Sequence, residues 1–184
     1  MNQRIHADAG LLPDGWASDV VIEIDAAGMI VDVKRGVAPG DAHRCAGPII
    51  PAMPNVHSHA FQRALAGRTG RASPTRDDSF WSWREAMHTF VERVDVESFG
   101  AIAAQAYVEM AKAGYATVAE FHYVHRDASG NEYDDPAELA WRIADAASTA
   151  GLGLTLLPVF YGHGGFGGAA LGPRQRRFAH SIAS

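Results

Sequence analysis

Apolar and polar residues alternate over residues 19–24 and again over 29–34, and the residues between them, Asp25 to Gly28, end in glycine. An alternation of period two is typical of a half-buried strand, and a short turn that ends in glycine joins antiparallel neighbours. The pattern therefore predicts a β-hairpin, with a third strand near residues 3–8 and a loop over 35–47. We predict that residues 1–47 form a small β-rich unit.

The pattern changes after residue 97, where helical and strand periods alternate. The predicted elements are a helix over 97–113, a strand over 117–124, a helix from 135 to 150 and a strand over 152–160. Strands separated by helices pair in parallel through right-handed crossovers. We therefore predict an α/β sheet for residues 48–184, in which Asp135 caps the second helix and Pro136 is its first residue.

The segment between these two regions contains a short apolar run over residues 48–53, PIIPAM. Its two prolines cannot donate to a sheet ladder, so we expect a strand that soon ends in a loop. The tripeptide His57-Ser58-His59 follows directly. Beyond it the sequence indicates the start of a helix over 60–67, a polar loop over 68–79 that ends in a helix cap, and an aromatic helix over 79–91.

Composition is that of an ordinary globular chain, with 47% apolar residues, 20% charged residues and a formal net charge of -5 among 184 residues. The 16 basic residues are scattered, unlike the basic face of a nucleic-acid-binding protein. A single cysteine excludes an intrachain disulfide framework. Because neither a secretion signal nor a membrane-spanning run is visible, we expect a cytoplasmic protein without a nucleic-acid or membrane partner.

The two histidines of the HxH tripeptide are the strongest chemical signal. Residues i and i+2 point to the same side only on extended backbone, so His57 and His59 would converge on one point at the end of a strand. Imidazole is the commonest protein ligand for zinc and related divalent metals. The carboxyl end of a strand is also where active sites form in (β/α) barrels. The bare tripeptide, however, also arises by chance.

Longer segments make the interpretation more specific. Residues 51–67 read PAMPNVHSHAFQRALAG, residues 78–87 read DSFWSWREAM, residues 120–127 read EFHYVHRD, and GHGGFGG and QRRF stand near the end. Together these segments resemble the formimidoylglutamate deiminase family of the amidohydrolase superfamily. The resemblance implies that residues 48–184 are the first βα units of a metal-dependent (β/α)₈ barrel, preceded by the small β unit and incomplete in this chain.

The resemblance also implies an activity and a set of site residues. The activity is zinc-dependent hydrolysis of N-formimino-L-glutamate to N-formyl-L-glutamate and ammonia, in histidine degradation. His57 and His59 match the first two zinc ligands, and Gln62, Arg84 and Tyr123 match substrate-binding positions. The planar fork of an arginine suits an α-carboxylate, which gives the Arg84 assignment a physical reason as well.

The remaining metal ligands and every acid/base group would come from later strands, so no catalytic residue is expected within this chain. A catalytic zinc site needs about three protein ligands and a water. We therefore expect the chain alone to be an inactive and poorly stable fragment, and the full-length form to be a homodimer.

Other interpretations compete with these. Arg84 could be a solvated helix residue, and Tyr123 a packing residue. His122 and His125 invite a second metal site, but Asp127 is the one nearby carboxylate. The function could also be that of another amidohydrolase-type deaminase or chlorohydrolase acting on a ring, or of a non-catalytic metal-binding fragment.

Overall fold

A computed structural model describes residues 3–69 and 79–181 of the chain. The chain folds as two compact units, Met1–Ala52 and Met53–Ser184. The predicted functional domains, 1–47 and 48–184, stay a prediction. Most of the loop predicted over 68–79 lies outside the described residues. Within those residues, no helix combines the length and the apolar character needed to cross a membrane.

The first unit contains a four-stranded sheet in the order β3-β2-β1-β4. Its strands are β1 Gln3–Leu12, β2 Gly15–Ile24, β3 Ile30–Lys34 and β4 His43–Arg44. The predicted hairpin and third strand are confirmed. In the turn, Asp25 Oδ1 accepts the backbone N–H groups of Ala27 and Met29, each at 2.9 Å, while Gly28 adopts a φ of 83°. The predicted loop over 35–47 contains β4, which pairs in parallel with β1.

The second unit contains a three-stranded parallel sheet in the order β5-β6-β7. The strands are β5 Met53–Ser58, β6 Tyr115–His122 and β7 Gly153–Pro158, and the α-helices are α1 Phe80–Val91, α2 Val96–Lys112 and α3 Glu138–Ala150. The predicted alternation of strands and helices is therefore confirmed. The three strands form an open sheet that does not close into a barrel. One face of the sheet is covered by helices, and its core includes Phe99, Tyr107, Val118, Leu139 and Ile143.

Strand β5 does not lie where the sequence predicted it. Residues 48–52 of the predicted run form no ladder, and Ile49 makes an isolated bridge with Gly10. The strand instead starts at Met53, whose N–H donates to the Gly114 carbonyl at 3.1 Å. The register shifts between Met53 and Pro54, and this irregularity accommodates a residue that has no N–H to donate. As a result, His57 belongs to the strand itself.

The start of α3 is a second correction. The N-cap is Ala137, which makes no side-chain cap hydrogen bond, so neither Asp135 nor Pro136 has the predicted position. Asp135 Oδ1 accepts the Ala137 N–H at 2.8 Å, and the Asp135 carbonyl accepts the Glu138 N–H at 3.0 Å. Asp135 therefore forms a turn ahead of the helix, a conformation that its short polar side chain favours.

The cap predicted at the end of the loop over 68–79 is confirmed, and α2 begins and α3 ends at residues that also suit those positions. Ser79 caps α1 and accepts from the backbone of Ser82, and Asp95 caps α2 and accepts from the Ser98 N–H at 2.7 Å. Gly151 ends α3 in the left-handed conformation, with φ 73°. The helix predicted to start after the histidines is a short 3₁₀ helix, Ala60–Leu65, and the tail contains the 3₁₀ turns Phe166–Gly168 and Pro173–Gln175.

Candidate metal and substrate site

The two histidines of the HxH tripeptide lie at the carboxyl end of β5. His57 is the fifth residue of the strand, and His59 follows its last residue. Their ring centroids are 4.8 Å apart, with the ring planes at 85°. Phe121, on the neighbouring strand β6, places its ring 4.6 Å from that of His57. The pair therefore stands at the same edge of the sheet as the end of β6.

The ring of His59 is held through one nitrogen. Its Nδ1 lies 2.8 Å from the Phe121 carbonyl oxygen. A carbonyl can only accept, so Nδ1 carries the proton in this hydrogen bond, and the lone pair is left on Nε2. Burial lowers the pKa of His59, the hydrogen bond to Phe121 raises it, and the neighbouring His57 lowers it. A neutral imidazole whose second nitrogen is fixed by a carbonyl is the usual form of a metal-bound histidine, so the pair fits a divalent metal.

Two of the predicted substrate-binding residues lie beside this pair. Gln62, in the 3₁₀ helix after His59, donates from Nε2 to the hydroxyl oxygen of Tyr123 at 2.8 Å. The Tyr123 ring centroid is 4.9 Å from that of His59. Burial raises the pKa of Tyr123 to about 12, although the Gln62 hydrogen bond opposes this. The phenol is therefore neutral at physiological pH and can donate its own proton.

Arg84, the third predicted substrate-binding residue, lies on α1 in a different setting. Its guanidinium carbon is 5.9 Å from the ring centroid of Trp81, whose surface is 66% exposed. Both residues line an open cleft of about 280 Å³ that also includes His88, Arg174 and Gln175. No contact among the described residues joins Arg84 to the histidine pair. The structure thus brings four of the five predicted residues together and places the fifth on a neighbouring cleft.

Glu120 was missed by the sequence analysis. It lies on β6, is only 1% exposed, and accepts the backbone N–H of Ala60 at Oε1 over 2.7 Å. Burial raises its pKa, and the nearby polar groups of Ser58, Ala60 and Tyr107 oppose that rise. Oε2 has no hydrogen-bond partner among the described residues. Tyr107 is also buried, and this burial together with the nearby Glu120 raises the pKa of its hydroxyl. An acidic residue within the buried-strand pattern of residues 117–124 was the signal that could have identified it.

The histidines after β6 have different surroundings. His122 is buried, with its ring 6.1 Å from that of Phe99 and 5.1 Å from that of His125. Burial, and then the charge of His125, lowers the pKa of His122 to about 3. His125 Nε2 lies 3.0 Å from the Val159 carbonyl oxygen. These contacts place both rings within the packing around the end of β6.

A separate group of possible ligands lies in the first unit. His6, Asp8 and Asp19 each offer one ligand atom within 4.8 Å of the others, and both ring nitrogens of the buried His6 lack a hydrogen-bond partner among the described residues. The guanidinium of Arg44, however, already donates to Asp8 Oδ1 at 3.2 Å. Because Asp8 is already paired with this cation and both carboxylates are exposed, we assign no ion there.

Comparisons with known proteins show which family the chain resembles. Residues 2–46 match a family model described as Formimidoylglutamate deiminase HutF, N-terminal domain. Over 174 residues, or 95% of its length, the chain is 52% identical to a formimidoylglutamate deiminase of Pseudomonas aeruginosa, of which it covers 38%.

Solved structures show which fold the chain resembles. The chain is 49% identical to an amidohydrolase from Brucella melitensis, with a TM-score of 0.89 over 97% of this chain and 39% of that one. An atrazine chlorohydrolase from Arthrobacter aurescens, described as complexed with zinc, is 19% identical, with a TM-score of 0.60 over 83% of this chain and 34% of that one. At that identity, the second likeness shows the fold alone.

These matches confirm the resemblance to formimidoylglutamate deiminases and the amidohydrolase-type fold. The chain spans 38% of the length of the curated relative that it matches. Its open three-stranded sheet is the corresponding part of an amidohydrolase fold.

Proposed function

We propose that this chain is the metal-binding part of an enzyme that hydrolyses N-formimino-L-glutamate to N-formyl-L-glutamate and ammonia, a step of histidine degradation. Water adds to the formimino carbon, the bond from that carbon to the terminal nitrogen breaks, and ammonia leaves. The reaction is suggested by the relative that is 52% identical. The observation that carries the proposal is the hydrogen bond that fixes His59 Nδ1 on Phe121, beside the Gln62–Tyr123 pair.

The proposed metal is zinc, with His57 and His59 as two of its ligands. The donor set is chemically suitable because neutral imidazole is a preferred zinc ligand. When bound, such an ion supplies the Lewis-acid chemistry that activates water for hydrolysis. Further ligands and the acid/base groups would belong to strands beyond β7, as in a complete barrel.

The proposed substrate contacts follow from the hydrogen-bonding capacity of each side chain. The Tyr123 hydroxyl accepts from Gln62, so its own proton remains available to a substrate atom. Arg84 has no carboxylate partner among the described residues, whereas Arg174 in the same cleft pairs with Glu85 and Glu92. Arg84 is therefore the cation that we assign to a substrate carboxylate, which it would bind through two parallel hydrogen bonds.

By itself the chain is proposed to be inactive, because two histidines are fewer than the three protein ligands of a typical catalytic zinc site. The cytoplasmic location and the homodimeric state of the full-length form belong to the same proposal. Zinc binding without turnover would then be the behaviour of the isolated chain.

Activity can be tested in a chimera in which this chain replaces the matching segment of the Pseudomonas aeruginosa relative. We expect ammonia release from N-formimino-L-glutamate and none from guanine or a chlorinated triazine. The same chimera with His57→Ala is the matched inactive control. Release from a ring substrate alone would refute the proposed substrate and favour a ring deaminase or chlorohydrolase.

Zinc binding can be tested on the 184-residue chain by competition with a fluorescent zinc indicator. His57→Ala and His59→Ala should each weaken binding at least tenfold, because each removes one imidazole. His43→Ala, which removes an exposed histidine of β4, should leave the affinity unchanged. Equal affinity in all four proteins would exclude the proposed site, and turnover by the isolated chain would refute its inactivity.

A further inference from the structure

Two consecutive residues of β6 hold His59 from opposite sides. Glu120 Oε1 accepts the N–H of Ala60, the residue after His59, at 2.7 Å. The Phe121 carbonyl oxygen contacts Nδ1 of the His59 ring at 2.8 Å. The first contact therefore fixes the backbone immediately after His59, and the second fixes the orientation of the His59 ring.

Glu120 makes this contact from within the layer between the sheet and the helices. Ser58, the residue before His59, is the register partner of Glu120 in the β5–β6 ladder. Tyr107 of α2 is fully buried on the same side, close enough for Glu120 to raise the pKa of its hydroxyl. The carboxyl group is thus surrounded by polar groups of the segment that carries the histidines and of one helix.

Its position calls for an explanation because burying a carboxyl group is unfavourable unless its oxygens find hydrogen-bond donors. Only Oε1 does so, since Oε2 has no hydrogen-bond partner among the described residues. An apolar residue such as Val118, two positions earlier on the same face of β6, would meet the packing requirement alone. The Ala60 N–H, at the start of a 3₁₀ helix, has no partner within that helix and needs an acceptor. Glu120 supplies this acceptor at the one point where the chain turns away from the histidine pair.

We infer that Glu120 is a positioning residue for the metal-binding pair: its carboxylate fixes the backbone from Ser58 to Ala60 so that the His59 ring meets the Phe121 carbonyl and presents Nε2 to an ion. The metal in this inference rests on the proposed function, whereas the orientation of His59 does not. His57 lies in β5 where the register shifts between Asn55 and Ser58, and its own N–H donates to Asn55 Oδ1 at 3.2 Å.

The first test compares Glu120→Ala with Glu120→Gln in zinc titrations of the 184-residue chain. Residues that orient a metal ligand typically change metal affinity by about 10–100-fold when they are removed. We expect a loss of that size for Glu120→Ala. We expect a change of less than about threefold for Glu120→Gln, because the amide oxygen can still accept the Ala60 N–H.

Ile143→Ala is the control for a general loss of stability, since Ile143 is fully buried on α3 and its apolar side chain offers no hydrogen bond to the histidine segment. It should lower the melting temperature while leaving the zinc affinity unchanged. An equal loss of affinity in Ile143→Ala and Glu120→Ala, or in Glu120→Gln and Glu120→Ala, would overturn the positioning role.

The second test uses the metal-free chain and ¹⁵N NMR. In the wild type, His59 should populate the Nδ1–H tautomer and the Ala60 amide should exchange slowly with solvent. Glu120→Ala should reduce both signatures, and Glu120→Gln should restore them. Unchanged signatures in Glu120→Ala would refute the inference. If the wild type bound no zinc, the proposed metal site would fail, and these two signatures would still decide whether Glu120 orients His59.

Discussion

Arg177 provides a stringent test of how the tail of the second unit is attached. Its side chain is 1% exposed, and it belongs to no ion pair among the described residues. The guanidinium donates to the carbonyl of Val91, the last residue of α1, to that of Val94 in the connection to α2, and to the Arg126 carbonyl at 2.8 Å. A buried cation here satisfies carbonyls that the helix end leaves without a partner. Arg177→Met would keep much of the side-chain volume and remove every one of these donors.

The expected cost follows from these bonds. A hydrogen bond to a charged donor contributes about 1.5–3 kcal/mol, and three carbonyls would lose one each. The sum is partly offset because methionine avoids the cost of burying a charge. We therefore expect the free energy of unfolding to fall by about 3–5 kcal/mol. For a unit of this size, that is a decrease in melting temperature of roughly 10–20 °C.

The measurement is urea unfolding followed by far-UV circular dichroism. Arg174→Met is the matched control, because Arg174 lies three residues earlier with a side chain that is 36% exposed and paired with the exposed Glu85. Exposed pairs contribute about 0–1 kcal/mol. A loss below about 1 kcal/mol for Arg177→Met, or one equal to that of Arg174→Met, would refute the interpretation of Arg177 as a buried cap of α1.

Three further predictions concern single side chains. The pKa of His122 is lowered in the fold to about 3, so the unfolded state takes up a proton first as the pH falls below about 6.5. Between pH 7 and pH 4 the wild type should lose about 3 kcal/mol more stability than His122→Phe, as measured by urea unfolding at each pH, and parallel losses would contradict this. Asp95→Ala removes the cap of α2 and should cost about 1 kcal/mol in the same assay, against almost none for the neighbouring Glu97→Ala. In the chimera, Arg84→Met should raise KM for N-formimino-L-glutamate at least tenfold, and an unchanged KM would exclude Arg84 from carboxylate binding.

The sequence predicted correctly the elements that are determined by residues close to one another in the chain. The hairpin around Asp25 was predictable because the alternation and the turn residues specify the same register. Helix α2 was predictable because its apolar residues recur with a helical period, although its cap at Asp95 was not predicted. The start of α3 was not, since Asp135 and Pro136 satisfy the rules for a cap and for a first helical residue equally well as part of a turn. Only the packing of the helix that follows selects between them.

In the candidate site, too, some features could be predicted from the sequence and others required the fold. His57 and His59 could be identified from their spacing, and Gln62 and Tyr123 from the resemblance, while the hydrogen bond between Gln62 and Tyr123 joins residues far apart in sequence. The partner of Glu120 was beyond local reasoning for the same reason, because Ala60 meets it only after β5 and β6 have paired. An acidic residue within a buried-strand pattern indicates a buried carboxyl group, but only the fold shows which N–H donates to it.

The shift of β5 by several residues changes how each histidine is held. Had the strand ended at residue 53, both rings would lie on a loop and the period-two argument for their convergence would not apply. β5 continues through Ser58, but its register shifts between Asn55 and Ser58. His57 is held there by the hydrogen bond from its N–H to Asn55 Oδ1 and by the ring of Phe121. His59 lies one residue beyond the ladder, and its direction is set by Phe121 and, through Ala60, by Glu120. The two proposed ligands therefore share Phe121 but differ in their backbone contacts, so Glu120→Ala should change the position of His59 more than that of His57.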